Sequence, residues 1–312
     1  MIRAVKNAFL IFNPSSKSYQ GQKKWPAIFE RMNKSSIVWS YAMTQGHLDG
    51  QRLAFEAAQK GFDAVIAVGG DGTINEVISG ISAYKEKDSS SQTRFGVIYT
   101  GTSPDFCAWH SLSLEPDVIM NSIFSGKTRN IDLCKIEHFC TQSQSRVSRF
   151  FSCSANFGLG AEIARGANSG LREKFGDGLG TFLSMIKAIA GYKPVSFNLI
   201  ADGKKLKFDS VQNIFAGKNP NIASGIKLKL DISDNDGKMF VVVLSGISRF
   251  RLLPLLPSVY TGGICKRFKP IFCSKLEITT DNNVGEVEYD GDPQGTLPAS
   301  ISVKPSFLPL LG

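Results

Sequence analysis

Histidine is scarce in this chain: His47, His110 and His138 are the only three in 312 residues, and they lie far apart. That scatter gives no footing to a zinc site or to a triad built on histidine. The six cysteines (Cys107, Cys134, Cys140, Cys153, Cys265 and Cys273) form no CxxC pair, and several sit in apolar runs. Buried free thiols in a reducing, cytoplasmic compartment are the expectation. The first apolar run, Ala8 to Phe12, is too short for a signal-peptide core. No apolar run approaches the ~20 residues that span a bilayer. There is no internal repeat, no Walker A sequence and no GxGxxG. RRM, OB and helix-turn-helix signatures are missing too, which argues against a nucleic-acid partner. Finally, no acidic residue falls between Gly237 and Lys275.

What is present is ordinary for a globular protein, with 42% hydrophobic and 20% charged residues. A chain of 312 residues can bury a sizeable core in one large or two medium domains. The net charge of +9 favours anionic partners without choosing between nucleotide, nucleic acid and an acidic membrane surface.

One stretch organises the rest. Val65-Ile66-Ala67-Val68 reads as a buried parallel strand, which breaks into Gly69-Gly70-Asp71-Gly72-Thr73. A helical pattern then resumes with Val77, Ile78 and Ile81 on one face. The glycines permit a tight turn and close approach to a ligand, and the helix start favours an anion such as phosphate. Asp71 would repel bare phosphate, so it suggests either a bound Mg²⁺ or a base for a substrate hydroxyl. An ordinary strand-turn-helix corner with a capping Asp remains open on this segment alone.

The flanking chain alternates strand and helix. Asn7–Phe12 reads as a strand leaving through Asn13-Pro14-Ser15-Ser16-Lys17, and Gly21–Asn33 as a helix. A short strand, Ile37–Tyr41, precedes the helix Leu48–Lys60. Phe95–Tyr99 is a further strand, ending in Thr100-Gly101-Thr102-Ser103-Pro104-Asp105-Phe106, where Asp105 reads equally well as a helix N-cap. This pattern predicts an α/β doubly wound domain over 1–127, with ligand at the carboxyl ends of the strands. From Arg129 the grammar changes to closely spaced strands, among them Arg149–Asn156, Lys205–Phe208 and Val211–Gly217, interrupted mainly by a helical region, Gly178–Gly191. A mostly antiparallel β domain is expected over 128–312, its tail (about 295–312) available to return to the first domain.

Two later stretches carry carboxylates. Val284–Tyr289 alternates as a strand and ends in Asp290-Gly291-Asp292, while Ser233-Asp234-Asn235-Asp236-Gly237 is ambiguous between a surface turn and a cation loop. In the acid-free stretch, Arg249, Arg251, Lys266, Arg267 and Lys269 interleave with apolar residues. It suits either a peripheral contact with an anionic membrane or a core helix with a solvated basic face.

The order and spacing of five motifs resemble the diacylglycerol kinase catalytic-domain family, which includes bacterial soluble lipid kinases, sphingosine kinases and ceramide kinases. They are Phe12-Asn13-Pro14-Ser15, Gly69 through Glu76, Gly101 through Phe106, Asn130-Ile131-Asp132-Leu133 and Tyr289-Asp290-Gly291-Asp292. The segments Asn156–Glu162 and Leu179–Leu183 resemble it as well, so the likeness covers nearly the whole chain. NAD kinases share the first five residues of the glycine motif, whereas the later segments favour the lipid kinases.

The resemblance implies an ATP- and Mg²⁺-dependent kinase acting on a hydroxyl of a membrane lipid (diacylglycerol, a sphingoid or a related alcohol). Its N-terminal domain would bind nucleotide and its C-terminal domain would be a β-sandwich. Asn13, Thr44, Gly69, Gly70, Asp71, Gly72, Thr73, Glu76 and Thr102 would line the ATP. Asp71 and Asp105 would hold the catalytic Mg²⁺, Asp292 would be the general base, and Asp132 another active-site acid. Glu162 would face the lipid head group, and Arg172 and Lys174 would neutralise phosphate. A structural Mg²⁺ would take Asp236 with the main-chain oxygens of Ser233 and Lys238. The family usually has Asn where this chain has Pro104, and Glu where it has Asp292. Those two changes motivate a second reading, a nucleotide- or lipid-binding relative with impaired turnover. An NAD kinase is the third, opposed by Glu76, the basic stretch and the C-terminal Asp-Gly-Asp. The kinase reading places the chain in the cytoplasm, peripherally on membranes, and leaves a homodimer open.

Overall fold

Four short apolar runs build the first layer. The computed structural model describes residues 4–141, 143–166, 187–222, 226–248, 251–281, 285–289 and 292–312. Among these the chain opens with β1 (Asn7–Phe12), α1 (Trp25–Lys34), β2 (Val38–Met43), α2 (Asp49–Gln59), β3 (Ala64–Gly69), α3 (Asp71–Lys87), β4 (Arg94–Tyr99), α4 (Asp105–Trp109) and α5 (Pro116–Ser125). Every residue of β3 and β4 is buried, as expected of parallel strands covered on both faces. Helix α1 starts with a proline in its first turn and buries Trp25, Ile28 and Met32 at helical spacing. Helix α2 buries Leu53, Ala54, Ala57 and Ala58, and α3 buries Ile74, Val77, Ile78 and Ile81. Gly126 ends α5 in the left-handed conformation.

Two compact units make up the chain. The first holds Met1–Leu133, Phe150–Ser152 and Lys304–Gly312; the second holds Cys134–Arg149 and Cys153–Val303. In the first, β1 pairs in parallel with both β2 and β3, and β3 pairs in parallel with β4. The last strand of the chain joins β4 in parallel through Leu310 and Phe95. The order of the first four strands is therefore β2-β1-β3-β4. Direction of winding reverses between β1 and β3, so the loops leaving those two strands lie at the switch point where open sheets bind ligands.

The chain continues with β5 (Thr128–Cys140), β6 (Ser145–Phe151), β7 (Ser154–Gly158), α6 (Leu159–Gly166), β8 (Val195–Ala201), β9 (Lys204–Gly217), β10 (Asn221–Ile222), β11 (Ile226–Lys227) and β12 (Met239–Ser245). Then follow α7 (Leu252–Tyr260), α8 (Ile264–Arg267), β13 (Ile271–Cys273), β14 (Lys275–Thr280), β15 (Glu286–Tyr289) and β16 (Asp292–Leu311). In the second unit the antiparallel pairings β9-β7, β7-β15, β15-β16, β16-β14, β14-β8 and β8-β9 return to their starting strand. The long strand β9 serves two neighbours. It pairs β8 up to Val211, with Ser210 at φ 51° in the register shift between Phe208 and Val211, and it pairs β7 from Asn213. The chain is thus mixed α/β with a β-rich C-terminal part.

Several elements differ from their sequence patterns. The run Arg149–Asn156 reads as one strand but divides into β6 and β7. Conversely, Lys205–Phe208 and Val211–Gly217 belong to the single strand β9. Strand β16 occupies 20 residues that give no strand signal, because Pro293, Pro298, Pro305 and Pro309 interrupt the alternation. The acid-free stretch opens into the wholly buried core of β12, Met239–Leu244. Within it α8 buries Ile264 and Cys265, leaving Lys266 and Arg267 exposed. Among the described residues no helix is long and apolar enough to cross a membrane.

Candidate active site

The loops at the carboxyl ends of β1 to β4 are knitted together by their own backbone. Asn13 N–H donates to the Val68 carbonyl at 3.0 Å, Thr44 N–H to Phe12 at 2.8 Å, and Thr100 N–H to Gly69 at 2.9 Å. The Asn13 side chain accepts from Ser15 N–H and donates to the Thr73 hydroxyl at 2.9 Å, locking the first loop to the first turn of α3. Ser16 donates its hydroxyl to the Thr100 carbonyl, joining the first and fourth loops.

Two glycines are required here by close approach. A Cβ at Gly69 would overlap the Thr73 side chain, and one at Gly101 would sit 2.5 Å from the Gly70 Cα and 2.7 Å from the Tyr99 hydroxyl. The two glycine loops therefore meet backbone to backbone at Gly70 and Gly101. No side chain caps α3, whose N-cap is Gly70. Its first-turn N–H groups point out of the helix start, the side on which an anion is favoured.

Asp71 turns away from its own helix. Its carboxylate accepts the N–H groups of Asp105 and Phe106, each at 3.3 Å, at the start of α4. Asp105 is thus not the N-cap its sequence context suggests; Pro104 holds that position and Asp71 supplies the carboxylate. Ser103 donates its hydroxyl to Asp105 Oδ2 at 3.1 Å. The electrostatic signature of the two acids is felt nearby. Burial, then the Asp71 charge, pushes the Cys107 thiol up to about 12. Burial, with Asp71, Cys107 and Asp105, raises the Tyr99 phenol as well.

Glu76 faces α2. Its carboxylate accepts from Leu48 N–H and Gly50 N–H, both at 2.9 Å, so it holds the start of α2 and with it the loop bearing Thr44. Thr102 is exposed between the glycine loop and α4. Asp132 is only 3% exposed and accepts Ser306 N–H at 2.7 Å, which ties β5 to the terminal segment of the first unit.

The second unit carries its own polar cluster, which the sequence patterns miss. Gly160 N–H, at the start of α6, donates to Asn213 Oδ1 at 2.8 Å. Asn213 donates to Asn156 Oδ1 at 3.1 Å, and Asn156 donates to Glu288 Oε2 at 2.5 Å. Alternation along β15 would put Glu288 outward, yet it is 3% exposed. A partner amide from β7 reverses that expectation, and nothing in the local sequence signals it. Glu162 lies on α6, and its charge adds to the burial that raises the Tyr192 phenol. Asp292 begins β16 with its backbone opposite Tyr289. Its side chain, together with Asp290, Gly291, Arg172 and Lys174, falls outside the described residues.

The turn at Ser233–Lys238 does not fit the Mg²⁺ that the resemblance assigns it. Asp236 accepts from Ser233 N–H at 3.1 Å and Lys238 N–H at 3.0 Å. Its Oδ1 also accepts from the Lys218 ammonium, which donates to the Lys238 carbonyl at 2.7 Å. The anticipated ligand atoms Asp236 Oδ1 and Lys238 O already carry a cation belonging to the protein. Among the described residues no group of three or more His, Cys, Asp or Glu side chains converges to hold a metal.

Comparison with known proteins follows the same division. Residues 7–136 match the diacylglycerol kinase catalytic domain, and residues 153–312 match the YegS C-terminal NAD kinase beta sandwich-like domain. A diacylglycerol kinase of Bacillus subtilis is 27% identical over 302 residues, covering 95% of this chain and 93% of that one. The structure of a diacylglycerol kinase from Bacillus anthracis superimposes with a TM-score of 0.71 at 17% identity, over 98% of this chain and 97% of that one. Yeast NADH kinase in complex with NADH shares the fold more distantly, with a TM-score of 0.54 at 12% identity over 99% and 83% of the two chains. The two matched domains together span nearly the whole sequence, and the chain belongs to the diacylglycerol kinase family of phosphotransferases.

Proposed function

We propose that the protein transfers the γ-phosphoryl group of ATP, with Mg²⁺, to a hydroxyl of a membrane lipid. The observation that carries this reading is the paired glycine loops, Gly70 against Gly101, with the Asp71 carboxylate beside Asp105. Side chains are excluded from the loop contact, and amide donors gather at the switch point of the sheet, a suitable cradle for a triphosphate. Asp71 and Asp105 are hard oxygen donors of the kind Mg²⁺ prefers, and they are the residues we assign to it. When bound, the ion would supply positive charge to the phosphoryl group in transfer. Asn13, Thr44, Gly69 to Thr73 and Thr102 would line the nucleotide. Glu76 would act behind them, setting the Thr44 loop through α2.

Asp292 is assigned as the base that accepts the lipid hydroxyl proton, Glu162 as a head-group contact, and Asp132 as a further active-site acid. An aspartate at 292 reaches one methylene less than glutamate, and a misplacement of about 1 Å can cost on the order of 10²-fold in rate. Slow turnover is expected for that reason. The exposed cations Arg251, Lys266, Arg267 and Lys269 would draw the protein to an anionic bilayer from the cytoplasm.

The test is transfer of label from γ-labelled ATP into a mixed panel of diacylglycerol, sphingoid and prenol lipids in anionic vesicles. NAD is offered in a separate reaction. Mg²⁺-dependent label in a lipid supports the proposal. Label in no lipid despite saturable ATP binding would favour the impaired relative, and NADP formation would favour the NAD kinase reading.

A further inference from the structure

The ammonium at the Ser233–Lys238 turn deserves an explanation of its own. Lys218 stands at the end of β9, just beyond Gly217, and is only 3% exposed. Lysine is almost never buried so deeply unless paired, because desolvating an ammonium costs several kcal/mol. Here the long stem passes through the interior of the second unit and its head reaches a surface turn. It donates there to Asp236 Oδ1 and to the Lys238 carbonyl. The turn is shaped for a cation. Asp236 receives Ser233 N–H and Lys238 N–H, which fix the carboxylate in place, and the Lys238 carbonyl points to the same spot.

A divalent ion and this ammonium exclude each other. Mg²⁺ demands near-octahedral oxygen ligands at about 2.0–2.1 Å, and it would have to claim the oxygens that Lys218 already holds. Placing it there beside a buried positive charge adds repulsion in a medium of low effective dielectric. Moving Lys218 away would instead strand an unpaired ammonium in the interior.

We infer that the Lys218 ammonium is the resident cation of the Ser233–Lys238 turn, replacing a divalent ion with a covalently attached one. The second unit then holds this turn at any Mg²⁺ concentration. The inference stands apart from the catalytic proposal, and its test uses no nucleotide.

Thermal unfolding is followed in EDTA and in millimolar Mg²⁺ for the native chain, Asp236→Asn, Lys218→Ala and the double variant. The native chain and Asp236→Asn should show the same Mg²⁺ shift, which reports any ion bound elsewhere. Lys218→Ala should melt lower in EDTA and regain stability with Mg²⁺. The gain should be roughly 5–10 °C at about a hundredfold excess over the dissociation constant, and absent from the double variant. A Mg²⁺ shift in the native chain that Asp236→Asn abolishes would overturn the inference. A Lys218→Ala protein indifferent to Mg²⁺ would overturn it equally, since the turn would not then be a divalent cradle. Should Lys218→Ala fail to fold, Mn²⁺ binding to the native chain and Asp236→Asn decides by itself. Equal stoichiometry is expected, and one fewer ion on Asp236→Asn contradicts the inference.

Discussion

Glu76, at the end of the glycine motif, fastens the start of a neighbouring helix. Its carboxylate is the acceptor for two N–H groups at the start of α2. Glu76→Ala strands both donors, and losing charge-assisted bonds of this kind costs about 2–3 kcal/mol. Glu76→Gln keeps one acceptor oxygen and should lose about half as much. Urea titration of the two variants checks the ordering, and equal losses would show that the carboxylate does not act through these bonds. His138 makes a separate residue-scale prediction. It is 1% exposed and its ring lies 3.3 Å from the Tyr289 hydroxyl. Burial pushes its pKa down, the backbone bond to Phe139 opposes this only in part, and the Arg149 charge adds to the lowering. The unfolded chain therefore takes up a proton that the folded chain refuses. Stability should be full above about pH 6.5 and fall as the pH drops from there toward the lowered pKa. Denaturation midpoints from about pH 7.5 to 5.5 should show that slope, and His138→Gln should flatten it. Residue types at these positions were legible, but their partners were not. Asp71 takes the capping role at α4 that local context gives to Asp105, because the acceptor for that helix comes from 34 positions away. Lys218 carries no signal at all, since its meaning depends on a turn that follows it by 18 positions.

At the scale of elements, the contact between the β3–α3 and β4–α4 loops is the feature most open to a single change. Gly101→Ala would press a methyl group into the Gly70 backbone and the Tyr99 hydroxyl, neither of which can move cheaply. The loops must separate by several tenths of an ångström, while the buried strands β3 and β4 that carry them stay paired. The expected result is a folded protein whose kinase activity drops at least about tenfold, because reacting groups on separate loops lose their alignment. Circular dichroism and phosphoryl-transfer rates measured together check this; unchanged activity would detach the glycine contact from the site. Elements with one dominant period were readable in advance. Strands β3 and β4 are continuous apolar runs, and α1, α2 and α3 show clean helical spacing. Strand β16 was not readable, because prolines remove its alternation and its pairing is set by four different neighbours, β15, β14, β5 and β4. The same holds for Glu288, whose burial is decided across strands by Asn156.

At the scale of the molecule, the chain order and the units do not coincide. The first unit needs its opening residues up to Leu133 and also the last nine, Lys304–Gly312, which arrive only after the second unit has been made. Leu308, Leu310 and Leu311 are fully buried in it, Lys85 donates to the Phe307 carbonyl, and Asp132 accepts Ser306 N–H. Burying three leucines contributes roughly 5–9 kcal/mol, which is comparable to the whole stability of an ordinary domain. Truncation after Val303 should therefore unfold the first unit while leaving every residue of the second in place. All three tryptophans, Trp25, Trp39 and Trp109, belong to the first unit, so their fluorescence reports on it alone. The truncated chain should show the red-shifted emission of solvated indole together with the β-rich circular dichroism of the second unit. Native-like emission would mean that β1 to β4 and their helices stand without the terminal strand, and that the burial of its leucines is not what holds them. Adding the missing segment as a separate peptide offers the complementary measurement: recovery of blue-shifted emission with rising peptide concentration would show that the segment acts by docking, not by its covalent link to the earlier half of β16.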